Sequence, residues 1–223
     1  EVIEIIKQAK LLDIALTFRA AGTSLSGQAI TDSVLVVATH GWKNFELLDN
    51  NQKIKLEPGI VGSSANILLA PHGLKIGPDP ASIGAAMIGG IVANNASGMC
   101  CGTAQNSYQT IADIRIVLHD GTLLDTADTN SVADFKKTHT ALIQEIENLR
   151  DTIKNDETLY HKIKNKFKIK NTTGYSINAL VDYEDPIEII KHLMVGAEGT
   201  LAFISNVTFK TIIDEKFKSC SLL

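Results

Sequence analysis

Apolar residues at positions 2, 3, 5, 6, 9 and 12 recur at helical spacing and predict an amphipathic helix over about 1–12. Ile14 to Phe18 then reads as a strand, which runs straight into ten mostly small residues, Arg19 to Gln28 (RAAGTSLSGQ). After an Asp32-Ser33 turn, the valine-rich Val34 to Ala38 predicts a buried strand. Ile54 to Glu57 is a short strand stopped by Pro58-Gly59, and a helix follows over about Ser63 to Ala70, closed by His72-Gly73. Gly77-Pro78-Asp79-Pro80 is a rigid polar turn in which no helix forms. Ile111 to Leu118 and Thr122 to Asp125 predict two strands joined by a His119-Asp120-Gly121 turn.

From about Ser131 the pattern becomes charged and helical, with Leu142, Ile146, Leu149 and Ile153 on one face, so an inserted helix is expected to cover the sheet. The run Lys162 to Lys170 (KIKNKFKIK) alternates lysine with apolar residues and reads as a strand. It is either a solvated edge, since lysines discourage edge pairing, or a basic strand facing an acidic membrane or partner. Pro186 to Met194 predicts a helix, and Leu201 to Phe209 a strand entered through Val195-Gly196-Ala197-Glu198-Gly199-Thr200. The last five residues, Ser219 to Leu223, resemble the start of another strand, and both ends look cut from a longer protein. The overall expectation is an α+β fold with two groups of strands.

Composition narrows the function. The 223 residues are 44% hydrophobic and 21% charged, an ordinary globular balance large enough for a sizeable core. A net charge of -4 and 5% aromatic residues argue against nucleic-acid binding. Three cysteines, two of them adjacent at Cys100-Cys101, read as a reduced, intracellular protein, and no spacing indicates a metal. The adjacent pair is expected to be two buried, inert thiols. No signal peptide or membrane span is predicted.

Three small-residue segments carry the candidate chemistry. Arg19 to Gln28 offers glycines, three hydroxyls and a guanidinium, fit for an anion-binding concavity or for a plain interstrand loop. It matches neither GxGxxG nor GxxxxGK[ST], and a strand rather than a helix follows it. Ser82 to Gly98 (SIGAAMIGGIVANNASG) carries no charge, which fits a tightly packed buried helix or a close approach of a ligand. Gly196 to Thr200 is a helix-to-strand turn by itself. Together the three predict one groove for a dinucleotide with a flat aromatic end.

RAAGTSLSGQ, APHGLKIGPDPASIGAAMIGGIVANNASG and GAEGTLAFI, in this order over nearly the whole chain, resemble the flavin-binding domain of the FAD-linked oxidases of the vanillyl-alcohol oxidase and para-cresol methylhydroxylase type. Within that superfamily the chain is most similar to the D-lactate, glycolate and D-2-hydroxyglutarate dehydrogenases. KIKNTTGYSINALVDYEDPIEIIKHLMVGAEGTLAFI resembles the large branch that carries an iron–sulfur portion further along.

The resemblance implies a two-subdomain FAD-binding fold, with mixed and antiparallel sheets flanked by helices. A small part would span about 1–40 and a larger one about 41–215, with a helical insertion at about 131–170 and the substrate-binding cap outside this chain. It implies FAD as cofactor and oxidation of a D-lactate-like 2-hydroxy acid to the 2-oxo acid. The electron acceptor stays open among a quinone, a cytochrome and an electron-transfer protein, and the location is cytoplasmic, with room for peripheral contact at the inner membrane face. Arg19, Ala20, Ala21, Gly22, Thr23, Ser24, Ser26 and Gly27 would hold the pyrophosphate. Pro78, Asp79 and Ser82 would lie along the flavin and ribityl part. Gly89, Gly90, Asn94, Asn95, Ser97 and Gly98 would flank the pyrophosphate and ring, and Glu198, Gly199 and Ile204 the adenine side. Thr23 stands where some members attach FAD through histidine, so FAD would bind non-covalently. The catalytic residues stay unknown, and the six histidines read as surface or capping residues. Three alternatives remain: a non-catalytic FAD-binding subunit, a cell-wall precursor reductase using NADPH, and an interaction module without flavin.

Overall fold

The structure is a computed structural model that describes residues 1–217 and 219. Helix α1 (Val2–Leu11) buries Val2, Ile6 and Ala9, one stripe at helical spacing. Asp13, with φ of 52°, turns the chain into β1 (Leu16–Arg19). Strand β1 pairs in parallel with β2 (Val34–Val37), from Leu16 opposite Val34 to Arg19 opposite Val37. The connection between them, residues 20–33, carries the first small-residue loop and no helix.

Strands β3 (Phe45–Leu48) and β4 (Lys53–Leu56) form an antiparallel hairpin. Its turn holds Asp49, Asn50 and Asn51 in the left-handed region, which Asn and Asp tolerate better than other side chains. Helix α2 (Gly62–Leu69), β5 (Leu74–Ile76), α3 (Ile88–Ala93) and α4 (Ser107–Thr110) follow. Strands β6 (Ile111–Val117) and β7 (Leu123–Asp125) make the second hairpin. Next come α5 (Thr129–Thr138), α6 (Thr140–Asn155), α7 (Glu157–Lys166), α8 (Ala179–Asp182), α9 (Pro186–Leu193) and finally β8 (Phe203–Ile213).

The eleven-residue β8 organises the larger sheet, whose order is β3-β4-β8-β6-β7, with β5 added further along β8. Every pairing in it is antiparallel. Ile54, Leu56, Ile114, Ile116, Val207 and Phe209 turn one face to Leu69, Ile88, Ile91 and Ile189 from the helices. Burying each such side chain contributes about 1.5–3 kcal/mol. A second cluster of Val2, Ile6, Ala38, Val117 and Phe203 joins the two-stranded sheet to the start of β8. There the Phe203 ring lies 4.7 Å from that of Phe18 and 5.3 Å from that of Trp42.

The α+β class holds, and three local expectations change. The expected strand at Lys162 to Lys170 is the end of helix α7 and the coil behind it. Leu159, Ile163 and Phe167 repeat every four residues, Ile163 is buried, and Asp156 caps the helix by accepting from the Leu159 N–H at 2.9 Å. The single inserted helix is three, α5 to α7, with α6 in contact with α7, α8 and α9. The uncharged Ser82 to Gly98 is not one buried helix but turns followed by the six-residue α3. The strand expected at Ser219 to Leu223 lies, beyond Ser219, outside the described residues. No described helix is long and apolar enough to cross a membrane.

Candidate functional site

Between the two sheets lies a cleft with about 200 Å³ of free volume. Its first wall is the loop after β1, with Arg19, Ala20, Ala21, Gly22, Thr23 and Ser24. Its second is the stretch through α3, with Ser82, Gly89, Gly90 and Asn94, and its third Glu198, Gly199 and Ile204 at the entry to β8. Phe18, Ala38, Pro58 and Phe203 complete the lining. Gly22, Gly90 and Gly199, far apart in sequence, thus face one space.

One carboxylate ties the three walls together. Glu198 accepts from Gln28 Nε2 at 2.8 Å and from Asn94 Nδ2 at 2.5 Å. Its own N–H donates to the Ala93 carbonyl at 2.8 Å, and the Gly196 N–H donates to that of Val92 at 3.1 Å. This arrangement requires Glu198 at φ of 54°, followed by Gly199 at 77°. Left-handed backbone at a non-glycine residue persists where its surroundings fix it, and here four hydrogen bonds do so.

The small residues have separable reasons. A Cβ on Gly89 would lie 2.7 Å from the Pro58 Cβ, so Gly89 lets α3 close onto Pro58. A Cβ on Gly90 would meet nothing within 4 Å, so the missing side chain leaves room in the cleft itself. Gly22, at φ of 69°, lets the Arg19 side chain fold back over the first loop. Arg19 Nε and Gln28 Oε1 are buried with no partner in the protein. The cleft therefore offers one unused donor and one unused acceptor between walls of small side chains. Leaving such groups unpaired costs about 1–3 kcal/mol each, which a ligand carrying both an anionic group and hydrogen-bond donors offsets.

Thirteen of the twenty residues expected at the site line this cleft; Ser26, Gly27, Pro78, Asp79, Asn95, Ser97 and Gly98 do not. The Ser26 N–H bonds Ser24 Oγ, and the Gly27 carbonyl accepts from Ile30, so both belong to the turn beyond the first wall. Asp79, between two prolines, accepts from the backbone N–H groups of Gly98, Cys100 and Cys101 at 2.9, 3.1 and 3.2 Å. Burial opposes the charged form of Asp79, but these bonds and that from the Cys101 thiol outweigh it and hold the carboxyl below its ordinary value. Gly98 is required there, since a Cβ would lie 1.9 Å from the Asp79 carbonyl oxygen. The Ser97 carbonyl accepts from Lys170 Nζ. Asn95, at φ of 50°, points to the far side of the segment from Asn94.

Of the adjacent thiols only Cys101 is buried, with its thiol toward Asp79; Cys100 is exposed, and its N–H rather than its side chain bonds that carboxylate. His192 is no surface residue, being 3% exposed within the core. The sequence reading missed Gln28, Pro58 and Phe18 at the cleft. Gln28 closes the quoted first motif, but nothing local signals its partner, Glu198, 170 residues away.

The family model described as "FAD binding domain" matches residues 1–127, more than half of the chain. The chain belongs to this family, and FAD is its cofactor. Among curated relatives, the D-2-hydroxyglutarate dehydrogenase of Haemophilus influenzae is 27% identical over 98% of this chain and 23% of its own length. The D-lactate dehydrogenase of Archaeoglobus fulgidus is 27% identical over 94% of this chain and 36% of its own length. The glycolate oxidase subunit GlcD of Escherichia coli is 31% identical over 51% of this chain and 23% of its own length. The solved structure of an alkyldihydroxyacetonephosphate synthase superposes with a TM-score of 0.58 at 14% identity, over 96% of this chain and 30% of that one. This likeness supports the fold, and the chain spans only about a quarter to a third of the length of most of these proteins.

Proposed function

We propose that the chain is the FAD-holding part of a dehydrogenase that oxidises a 2-hydroxy acid of the D-lactate or D-2-hydroxyglutarate kind to the 2-oxo acid. The relatives' names support the substrate class, and the geometry of the cleft supports the roles of residues. The Arg19 guanidinium and the backbone N–H groups of Ala20 to Ser24 would hold the pyrophosphate, adding a charge-assisted contact to a nest of amides. Gly90 would admit the cofactor close to the α3 backbone, and Gly89 lets that backbone close onto Pro58. Gln28, with its amide fixed by Glu198, presents Oε1 as an acceptor for a cofactor hydroxyl or amine. Of the seven expected residues outside the cleft, Asp79 and Gly98 support it by pinning the loop that follows Asn94. Bound there, FAD supplies the acceptor for the hydride equivalent leaving the carbinol carbon. None of the histidines lines the cleft, so the group taking the hydroxyl proton is proposed to come from the rest of a longer chain. Thr23 lines the first wall with no nucleophilic ring, in keeping with dissociable FAD.

The observation that carries this reading is the Glu198 carboxylate bridging Gln28 and Asn94 across the cleft. In the full-length protein, Glu198→Ala should weaken FAD binding at least about tenfold, because two charge-assisted bonds are lost. Anaerobic mixing of the holoprotein with D-lactate and D-2-hydroxyglutarate should bleach the flavin, whereas the L-acids and NADPH should not. Acid denaturation should release all FAD into the supernatant. Unchanged FAD affinity in the variant, or bleaching by NADPH alone, would overturn the reading.

A further inference from the structure

Behind the second wall of the cleft lies a separate small chamber. It sits between the Asn95 side of that wall and the segment 167–178, which leaves α7 and leads into α8. Its free volume of about 30 Å³ admits one or two water-sized groups. Asn95 and Asn178, 6% and 7% exposed, both line it. Each has its amide nitrogen committed, Asn95 Nδ2 to the Asn171 carbonyl at 3.4 Å and Asn178 Nδ2 to Asp182 at 2.9 Å. That commitment fixes both side-chain oxygens as acceptors, and both are buried without a partner.

What the chamber accepts follows from its surroundings. Two orphaned oxygens call for a donor or a cation, and no lysine, arginine or histidine lines the space to serve. Behind Asn178 stands the Asp182 carboxylate, which accepts from Asn178 and from Tyr108 Oη at 2.9 Å each. Burial first, and then the neighbouring Asp182, push the Tyr108 phenol above its ordinary range, so it stays protonated and donates. A negative charge one bond removed makes the Asn178 oxygen a better cation ligand. No carboxylate lines the chamber directly, and among the described residues no cluster of three or more His, Cys, Asp or Glu side chains could hold a metal ion. Divalent ions such as Ca²⁺ and Mg²⁺ take carboxylates, so neutral oxygens with a carboxylate behind them suit a single charge.

We propose that this chamber is a monovalent-cation site with Asn95 Oδ1 and Asn178 Oδ1 among its ligands, and that filling it braces the second wall of the FAD cleft. The link to the cleft is short. Asn95 follows Asn94, which holds Glu198, and a Cβ on Gly196 would lie 3.3 Å from Ser176 Oγ and 3.8 Å from the Asn95 Cβ. The bracing rests on the FAD reading above; the cation site does not.

The test compares the full-length protein in the chlorides of potassium, ammonium, sodium and tetramethylammonium at equal ionic strength; the last ion is too large to enter. In the apoprotein, at least one small cation should raise the unfolding midpoint by about 3 °C over tetramethylammonium. In the holoprotein the same cation should tighten FAD binding about threefold. Asn95→Gly removes one oxygen at a position whose left-handed backbone suits glycine, and should abolish both effects. Equal midpoints in all four salts, or a cation effect that survives Asn95→Gly, would overturn the proposal and leave the chamber to water. Should the variant fail to fold, the salt comparison on the unaltered apoprotein decides by itself, whatever the fate of the FAD reading.

Discussion

The cleft between the sheets and the aromatic cluster under α9 are both built where distant segments meet, and they handle polar atoms in opposite ways. In the cluster, the rings of Tyr183 and His192 stack with centroids 4.0 Å apart, and Tyr108 meets His192 edge-on at 4.8 Å. Tyr183 Oη donates to His192 Nε2 at 2.9 Å, His192 Nδ1 donates to the Glu188 carbonyl at 2.8 Å, and Tyr108 Oη donates to Asp182. Every polar ring atom there finds its partner inside the protein. In the cleft the side chains are small, the walls are tied through one carboxylate, and Arg19 Nε and Gln28 Oε1 are left over. A region finished by its own hydrogen bonds specifies fold, and one left with unused groups specifies a ligand.

Three perturbations would break or sharpen this contrast. The largest effect is expected outside both regions, at Gly98. Gly98→Val would drive a side chain into the Asp79 backbone, 1.9 Å from where its Cβ must sit. Urea unfolding should show a loss of more than about 3 kcal/mol, together with loss of FAD binding. A near-normal midpoint would mean that the loop after Asn94 is far softer than its bonds to Asp79 imply.

The second concerns pH and the cluster alone. Burial holds the His192 pKa down to about 4, outweighing the hydrogen bond to the Glu188 carbonyl, against 6.5 when solvated. As the pH falls, the unfolded chain therefore takes up the proton first. The stability this neutral histidine contributes is complete above pH 6.5 and is lost as the pH drops toward 4. Up to roughly 3 kcal/mol should disappear over that window in chemical unfolding. His192→Phe, which cannot take up the proton, should flatten the dependence.

The smallest effect on folding is expected at Gly90. A Cβ there touches nothing, and alanine favours helix over glycine by about 1 kcal/mol. Gly90→Ala should leave the unfolding midpoint unchanged or slightly raised while measurably weakening FAD binding. A variant that binds FAD normally would show that the cofactor does not approach α3.

Much of this was legible in the sequence because it is local. The helix at the N-terminus, the valine-rich β2, the β6–β7 hairpin around His119-Asp120-Gly121 and the helix started by Pro186 all follow from spacing and turn residues within a dozen positions. The three small-residue segments were legible as a set, and they meet in space. What escaped was either non-periodic or non-local. Strand β5 has three residues and no alternation to detect, and β3 is an edge strand with Phe45 and Glu46 both exposed. In Lys162 to Lys170, alternating lysines satisfy a strand pattern, while Leu159, the first anchor of the helical stripe, lies before the run. His192 looked like any helix-end histidine, because its burial depends on Tyr108, 84 positions earlier.

The bond from Gln28 to Glu198 also has a temporal side. Its two ends are 170 residues apart, so the first wall emerges from the ribosome long before its counterpart exists. At synthesis rates of about 5–20 residues per second that interval is roughly 10–30 s. During it the nascent segment around Arg19 has neither its bridging carboxylate nor β8 to lean on, and the cleft is not complete until synthesis has passed Glu198.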